Sequence, residues 1–185
     1  MHSPASALRV ITDLGDLPAQ RFSGAATPPF HFRRLLSLSD TTVSKTIYTS
    51  AADAEAAFYD ALARADLEAM MNVWAEDEDV VCIHPEGPRL NGLAAIREAW
   101  RALFATGATL QVSLSHRVVW ANMMIAVHEV FEHVSVAGDD QLHPPMAATN
   151  VYTRGASGWK MVMHHASPTP DIPQSGNREA PHTVH

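Results

Sequence analysis

The run Ser50-Ala51-Ala52-Asp53-Ala54-Glu55-Ala56-Ala57-Phe58-Tyr59-Asp60-Ala61-Leu62-Ala63-Arg64-Ala65-Asp66-Leu67 reads as a helix, a break and the start of a second helix. Ser50 offers a side-chain oxygen to the free backbone N–H groups of the first turn. Asp53 sits where the positive end of a helix favours a carboxylate. Ala54, Phe58, Ala61, Leu62 and Ala65 recur at helical spacing, so one face is apolar. Asp66 restarts the helix with Leu67, Met70, Met71 and Trp74 inward, and the acidic cluster Glu76-Asp77-Glu78-Asp79 ends it.

Working outward, Val80-Val81-Cys82-Ile83 is a short apolar run of the kind a buried strand uses. His84-Pro85-Glu86-Gly87-Pro88 follows as a loop, by its two prolines and its glycine. Asn91-Gly92 leads into a third helix, with Ala95, Ile96, Ala99, Trp100, Leu103 and Phe104 as the apolar stripe and Arg97 and Arg101 on the wet side. From there the pattern alternates. Leu110, Val112, Leu114, His116 and Val118 share one face of a strand, and Gln111, Ser113, Ser115 and Arg117 the other. Asn122 marks a turn, and Met123–Val136 reads as a long strand apolar on both faces. Gly138-Asp139-Asp140 is a hairpin turn, Met146–Thr153 another strand, Gly155–Gly158 a turn and Trp159–Ser167 the last strand. Three helices followed by a run of antiparallel strands predict an α+β fold.

The chain has 185 residues, 46% apolar and 18% charged, a composition that excludes overall disorder. Residues 1–49 lack a sustained period of either helix or strand and carry five basic and three acidic side chains; they are expected to be a mostly disordered N-terminal extension. They hold no apolar stretch of the kind a secretory signal needs. Residues 50–168 carry seven basic against fifteen acidic side chains and form one domain. Residues 169–185, rich in proline, are expected to be a disordered tail. The net charge of −7, with only 13 Lys and Arg, argues against nucleic acid as a partner. No apolar run approaches the roughly 18 residues of a membrane span. Cys82 is the only cysteine, so no internal disulfide forms and a reducing, cytoplasmic location is expected.

Phe58-Tyr59-Asp60-Ala61-Leu62, then Ala65-Asp66-Leu67, then Val73-Trp74-Ala75-Glu76-Asp77 resembles the opening of the nuclear transport factor 2-like superfamily. The loop His84–Gly92 with Ile96 and Trp100, and the closing Gly158-Trp159-Lys160-Met161-Val162 and His164-His165-Ala166-Ser167, resemble its SnoaL-like and ketosteroid isomerase-like branch. They are similar as well to the association domain of calcium/calmodulin-dependent kinase II. The resemblance covers about residues 51–168. It implies a cone in which a strongly curved antiparallel sheet wraps three N-terminal helices around an apolar pocket, and a convex face that pairs with a second copy. It does not imply one reaction, because this fold hosts enzymes, binding proteins and assembly domains.

The resemblance also points to residues. Ketosteroid isomerases place a proton-transferring aspartate before a proline at the end of the first strand, and His84-Pro85 stands at the matching place. Imidazole suits proton transfer near neutral pH. A histidine there also has an architectural reading, in which it bonds a backbone carbonyl and shapes the loop. The same family puts an acidic oxyanion donor on the penultimate strand, and Asn150 aligns with it; an amide can donate without an unusual pKa. Its other reading is a buried amide that satisfies neighbouring backbone. Phe58 departs from the pattern: the isomerases have a catalytic tyrosine there, and phenylalanine cannot donate. Tyr59 is adjacent but turned about 100° around the helix. Steroid isomerisation is therefore not expected.

His84 and Asn150 are thus the catalytic candidates. Phe58, Tyr59, Trp74, Trp100, His116, His128, Tyr152 and His164 are the expected pocket wall. His128 and Glu132, four apart on a strand, lie roughly 13 Å from each other at about 3.3 Å per residue and cannot pair. Of His164 and His165 only one can enter the pocket. Parity groups His165 with Met161 and Met163, and His164 with Val162 and Ala166; His164 is carried forward, though parity does not say which face is concave. Scattered strand histidines without a His-x-x-x-His helix give no metal site, and no cofactor motif is present. The expectation is a homodimer that binds a small apolar or aromatic molecule, either as a proton-transferring isomerase, lyase or cyclase, or as a non-catalytic binding or oligomerisation domain.

Overall fold

The computed structural model describes residues 46–138 and 143–169. The expected disordered stretches at either end, apart from 46–49 and Thr169, and the turn residues Asp139 and Asp140 lie outside the described residues.

Helix α1 spans Ala51–Arg64. The Ser50 hydroxyl accepts from the Asp53 N–H, and the Asp53 carboxylate accepts in return from the Ser50 N–H, so both ends of the capping pair are satisfied. Ala65, with φ 51°, takes the left-handed position that stops the helix. Asp66 caps α2, Leu67–Val73, by accepting from the Ala69 N–H. Trp74, expected as the last inward residue of that helix, follows it in extended backbone and bridges to Met161. Strand β1 is Val81–Ile83, β2 is Arg89–Asn91, and α3 is Leu93–Ala105. Four long strands follow: β3 (Leu110–Ala121), β4 (Ile125–Val136), β5 (Met146–Gly155) and β6 (Gly158–Pro168).

The six strands form one curved, unclosed sheet in the order β2-β1-β6-β5-β4-β3. The β1–β6 pairing is parallel and every other pairing is antiparallel. Phe58, Met70, Ile96 and Trp100 from the helices share one core with Ala126, Tyr152 and Met161 from the sheet. The fold is α+β, with three helices against the concave face. On β4, Ala126, His128, Val130 and Glu132 are buried while Ile125, Glu129 and His133 are exposed. Within one copy the strand is therefore buried on one face, while Ile125, Val127 and Phe131 on the other keep that face partly apolar.

Two irregularities decide where side chains point. The β3–β4 register shifts between Ser115 and Val118, with His116 at φ 51°. The β5–β6 register shifts where Val151 pairs with Met163 and Tyr152 with Met161, which leaves Val162 as the extra residue. Each bulge reverses the in-out alternation beyond it.

Packing begins before Ser50. Tyr48 is buried and bridges to Gly158, and the Trp159 N–H donates to the Tyr48 carbonyl at 2.9 Å. Gly158 has φ +81°, and a Cβ there would lie 2.5 Å from the Tyr48 carbonyl oxygen, so only glycine permits this approach. The buried Lys160 ammonium donates to the carbonyls of Thr46 and Asn72 and lies 4.9 Å from the centre of the Tyr48 ring.

Candidate functional site

A small cavity, open at one end, lies between α1, α3, the loop after β1 and the concave face of the sheet. Phe58, Leu62, Trp100, Leu103, Val112 and Val134 are among the residues of its apolar wall, and His84, Glu132 and His164 are its polar members. These three are 4%, 6% and 4% exposed, so each is a polar group held in apolar surroundings.

His84 follows β1 in a turn whose Gly87 N–H donates to the His84 carbonyl at 2.9 Å. Pro85 and the left-handed Glu86, φ 58°, occupy the middle of that turn. The His84 ring packs edge-on against Trp100, with centroids 4.6 Å apart, and lies 6.4 Å from the His164 ring. Its Nε2 and the Nε1 of Trp100 are buried without hydrogen-bond partners. Burial pushes the His84 imidazole down to about 4, so the ring is neutral at pH 7.

His164 and Glu132 are the two ends of a hydrogen-bonded chain. His164 Nδ1 lies 2.7 Å from Asn150 Oδ1; an amide oxygen only accepts, so Nδ1 carries the hydrogen. Asn150 Nδ2 donates to the Tyr59 hydroxyl at 3.1 Å, and that hydroxyl donates to Glu132 Oε1 at 2.7 Å. Burial and the neighbouring Glu132 raise the Tyr59 phenol, so it stays protonated and donates. Burial above all, and the charge of Glu55 secondarily, push the Glu132 carboxyl up to about 7 against the opposing bond from Tyr59. Burial, with His84 and His165 nearby, lowers His164 to about 3. The cavity wall therefore carries two neutral imidazoles, His84 and His164, and a carboxyl raised far above the ordinary carboxylate range.

A second polar cluster lies one helical turn earlier. Glu55, 3% exposed, takes His128 Nδ1 on one oxygen at 2.9 Å and Arg117 Nη2 on the other at 2.9 Å. Arg117 Nη2 is also 3.3 Å from His128 Nδ1. None of the three residues lines the cavity.

The expected pocket residues divide. Phe58, Trp100, His84 and His164 line the cavity. His164 faces inward and His165 is exposed, because the bulge at Val162 puts Met161 on the His164 side of the sheet rather than on the His165 side. Tyr59 lies behind the wall, occupied by Glu132 and Asn150. Asn150 is fully buried with both ends of its amide engaged inside the protein. Trp74 is on the far side of the core, beside Lys160 at a separate polar cleft. His128 belongs to the Glu55 cluster, and Tyr152 is buried against the His128 ring with its hydroxyl unpartnered. His116 is not at the cavity: the β3 bulge turns it outward, against Phe131 and Ser115, and turns Arg117 inward instead. Glu132 and Glu55 were not anticipated. Their signal is an acid on an apolar face: Glu132 shares strand parity with Ala126 and Val130, and Glu55 shares the helix face of Phe58 and Tyr59.

Cys82 is fully buried across from His164, and burial raises its thiol far out of the reactive range. Among the described residues no three His, Cys, Asp or Glu side chains gather as metal ligands would. No helix among them is long and apolar enough to cross a membrane.

The family model of the SnoaL-like domain matches residues 52–171. A Thiobacillus denitrificans chain, provisionally named a calcium/calmodulin-dependent protein kinase type II association domain, is 38% identical with a TM-score of 0.61, covering 68% of this chain and 99% of that one. A protein from Streptomyces avermitilis, of the nuclear transport factor 2-like family and provisionally named a dehydratase, is 29% identical with a TM-score of 0.58, covering 64% of this chain and 92% of that one. The Arabidopsis thaliana F-box protein SKIP8 is 26% identical over 103 residues, which are 55% of this chain and 42% of that protein, so the chain spans about two fifths of that relative. With more than half of its length matched by the family model, the chain belongs to the SnoaL-like domain family of the nuclear transport factor 2-like superfamily.

Proposed function

We propose that the domain is a proton-transfer enzyme of the isomerase, lyase or cyclase type, acting on a small apolar or aromatic molecule in the cavity. One observation carries this reading: the Glu132 carboxyl, raised to about 7, shares the cavity with two imidazoles that stay neutral. A base works best when its pKa lies near the working pH, and Glu132 meets that condition better than His84. In an elimination, ionised Glu132 takes the proton from carbon, the carbon–oxygen bond breaks as the double bond forms, and the same proton passes from Glu132 to the departing hydroxide, which leaves as water. In an isomerisation, the same carboxyl returns the proton to a second carbon. His84, neutral and packed edge-on against Trp100, shapes the wall beside the ligand space. Asn150 acts through its neighbours: it fixes the His164 tautomer and aims Tyr59 at Glu132. The Streptomyces avermitilis protein bears a lyase's name, in agreement with the elimination route.

The test is dehydration of 4-hydroxy-4-phenylbutan-2-one to its conjugated enone, followed by ultraviolet absorbance. Native protein accelerates it, and Glu132→Gln loses about 10²–10⁴-fold with fold retained. Equal turnover per folded molecule in the variant contradicts the reading. Ligand binding without turnover in the native protein supports a second reading, a non-catalytic binding module.

The domain is further proposed to work as a homodimer. Val118, Val119, Trp120, Met123 and Met124 are all at least half exposed around the β3–β4 hairpin, an apolar surface that a second copy would cover. Sedimentation at micromolar concentration showing only a 20.1 kDa species contradicts this.

A further inference from the structure

We infer that the cavity selects uncharged ligands that bring a hydrogen-bond donor, phenols and alcohols, and turns away carboxylates and phosphates. The inference rests on the reading of this cavity as the ligand site.

The donor direction in the buried chain is the first support. Every bond runs one way, from His164 through Asn150 and Tyr59 to Glu132. His164 spends its only ring N–H on Asn150, so the nitrogen left over, Nε2, is a lone pair. Glu132 receives a hydrogen from Tyr59 on Oε1, and its second oxygen, when ionised, can only accept. Both ends of the chain line the cavity; His164 asks for a donor, and Glu132 does so in its ionised form. The indole N–H of Trp100 and the Nε2 of His84 are sealed from the accessible space, so neither supplies an opposing donor without movement.

Charge is the second support. Among the described residues no Lys or Arg lines the cavity. Arg117 is committed to Glu55, and Lys160 to backbone carbonyls on the far side of the core. An anion entering would be desolvated among Phe58, Trp100, Leu103 and Val134 with no cation to meet it, beside a carboxyl that is itself acidic. An ammonium fares less badly but brings three N–H groups to two acceptors, and the third is left without a partner. A hydroxyl needs one acceptor and carries no charge. Two hydroxyls on one ring system would satisfy both His164 and Glu132.

Four isosteric probes decide the matter: 2-naphthol, 2-naphthoate, naphthalene and 2-naphthylmethylamine, titrated into the full chain at pH 7.5 by calorimetry. The expected result is 2-naphthol bound at least about tenfold more tightly than each of the other three. In Glu132→Gln the amide oxygen still accepts from Tyr59, and the amide N–H₂ turns a donor toward the cavity. That variant, shown folded by circular dichroism, should lose most of the preference for 2-naphthol over 2-naphthoate. Naphthoate equal to or tighter than naphthol overturns the exclusion of anions, naphthalene equal to naphthol overturns the need for a donor, and a tighter amine overturns the preference for neutral ligands. In these three outcomes the cavity remains the ligand site. No binding by any probe up to about 1 mM overturns both the inference and the reading of the cavity beneath it.

Discussion

Two rungs cross from α1 to β4, one helical turn apart, and they treat a buried carboxyl in opposite ways. In the first, Glu55 on the helix meets His128 on the strand, and Arg117 closes over its second oxygen. In the second, Tyr59 on the helix meets Glu132 on the strand, and no Lys or Arg among the described residues lines the cavity beside it. The spacing is the same, since residues four apart stack on a helix face and share a strand face. One carboxyl is bonded by His128 and Arg117 away from the cavity; the other keeps its proton into the neutral range beside it. On the proposed reading, architecture and reactivity are separated by which rung the arginine reaches. The β3 bulge settles that by turning Arg117 inward at the level of Glu55.

If the first rung is structural, Glu55→Ala should have the larger effect on folding. It leaves His128 and Arg117 without their acceptor and should cost about 3 kcal/mol in urea unfolding. Glu132→Gln keeps the acceptor for Tyr59 and removes an acid that is hard to ionise, so its stability at pH 7 should equal or exceed that of the native chain. The opposite ranking would break the comparison.

The second rung also sets a pH dependence. A carboxyl whose folded pKa is raised holds its proton more tightly when folded, so its stabilisation is full below the unfolded value and is lost as pH climbs toward 7. His84 and His164, with lowered folded values, act in the reverse sense: their stabilisation is present above the unfolded histidine value and lost as pH falls toward 4 and 3. Tyr59 and Glu55 from α1, Cys82 from β1 and Tyr152 from β5 face Glu132, and of these Glu55 is the charged one. Glu132→Gln should therefore gain stability relative to native protein by roughly 2 kcal/mol between pH 5 and pH 8. A pH-independent difference would place the Glu132 proton elsewhere.

The helices, their caps and the long strands were legible because each carries a period of its own, and the ordered motifs carried the family. Arg89-Leu90-Asn91 was not, because three mostly polar residues show no period; only the ladder to β1 makes them a strand. His84, Phe58 and Trp100 were placed at a pocket by the family resemblance, with which a strand end and two apolar helix faces agree. His116 could not, because alternation inverts at a bulge that leaves no mark in Ser115-His116-Arg117-Val118. The rejection of a His128–Glu132 pair on a single strand was sound geometry, yet each residue finds its partner on the helix, 73 residues away in both cases. Pairings at that separation are set by packing and not by local spacing.

The smallest expected effect separates the hydrogen bond from the burial that raises Glu132. Tyr59→Phe removes a donor to the carboxylate, so the Glu132 pKa should rise further, with a loss of about 1 kcal/mol in stability. A fall in the pKa would mean that the phenol, and not burial, is what holds the proton on Glu132.

The most direct measurement is a ¹³C titration of the glutamate side-chain carboxyls in the native chain, with Glu132 identified by its absence in Glu132→Gln. The expected result is one carboxyl that titrates at about 7. A Glu132 that titrates near the ordinary value of about 4.3 would contradict the poised acid at the centre of the site.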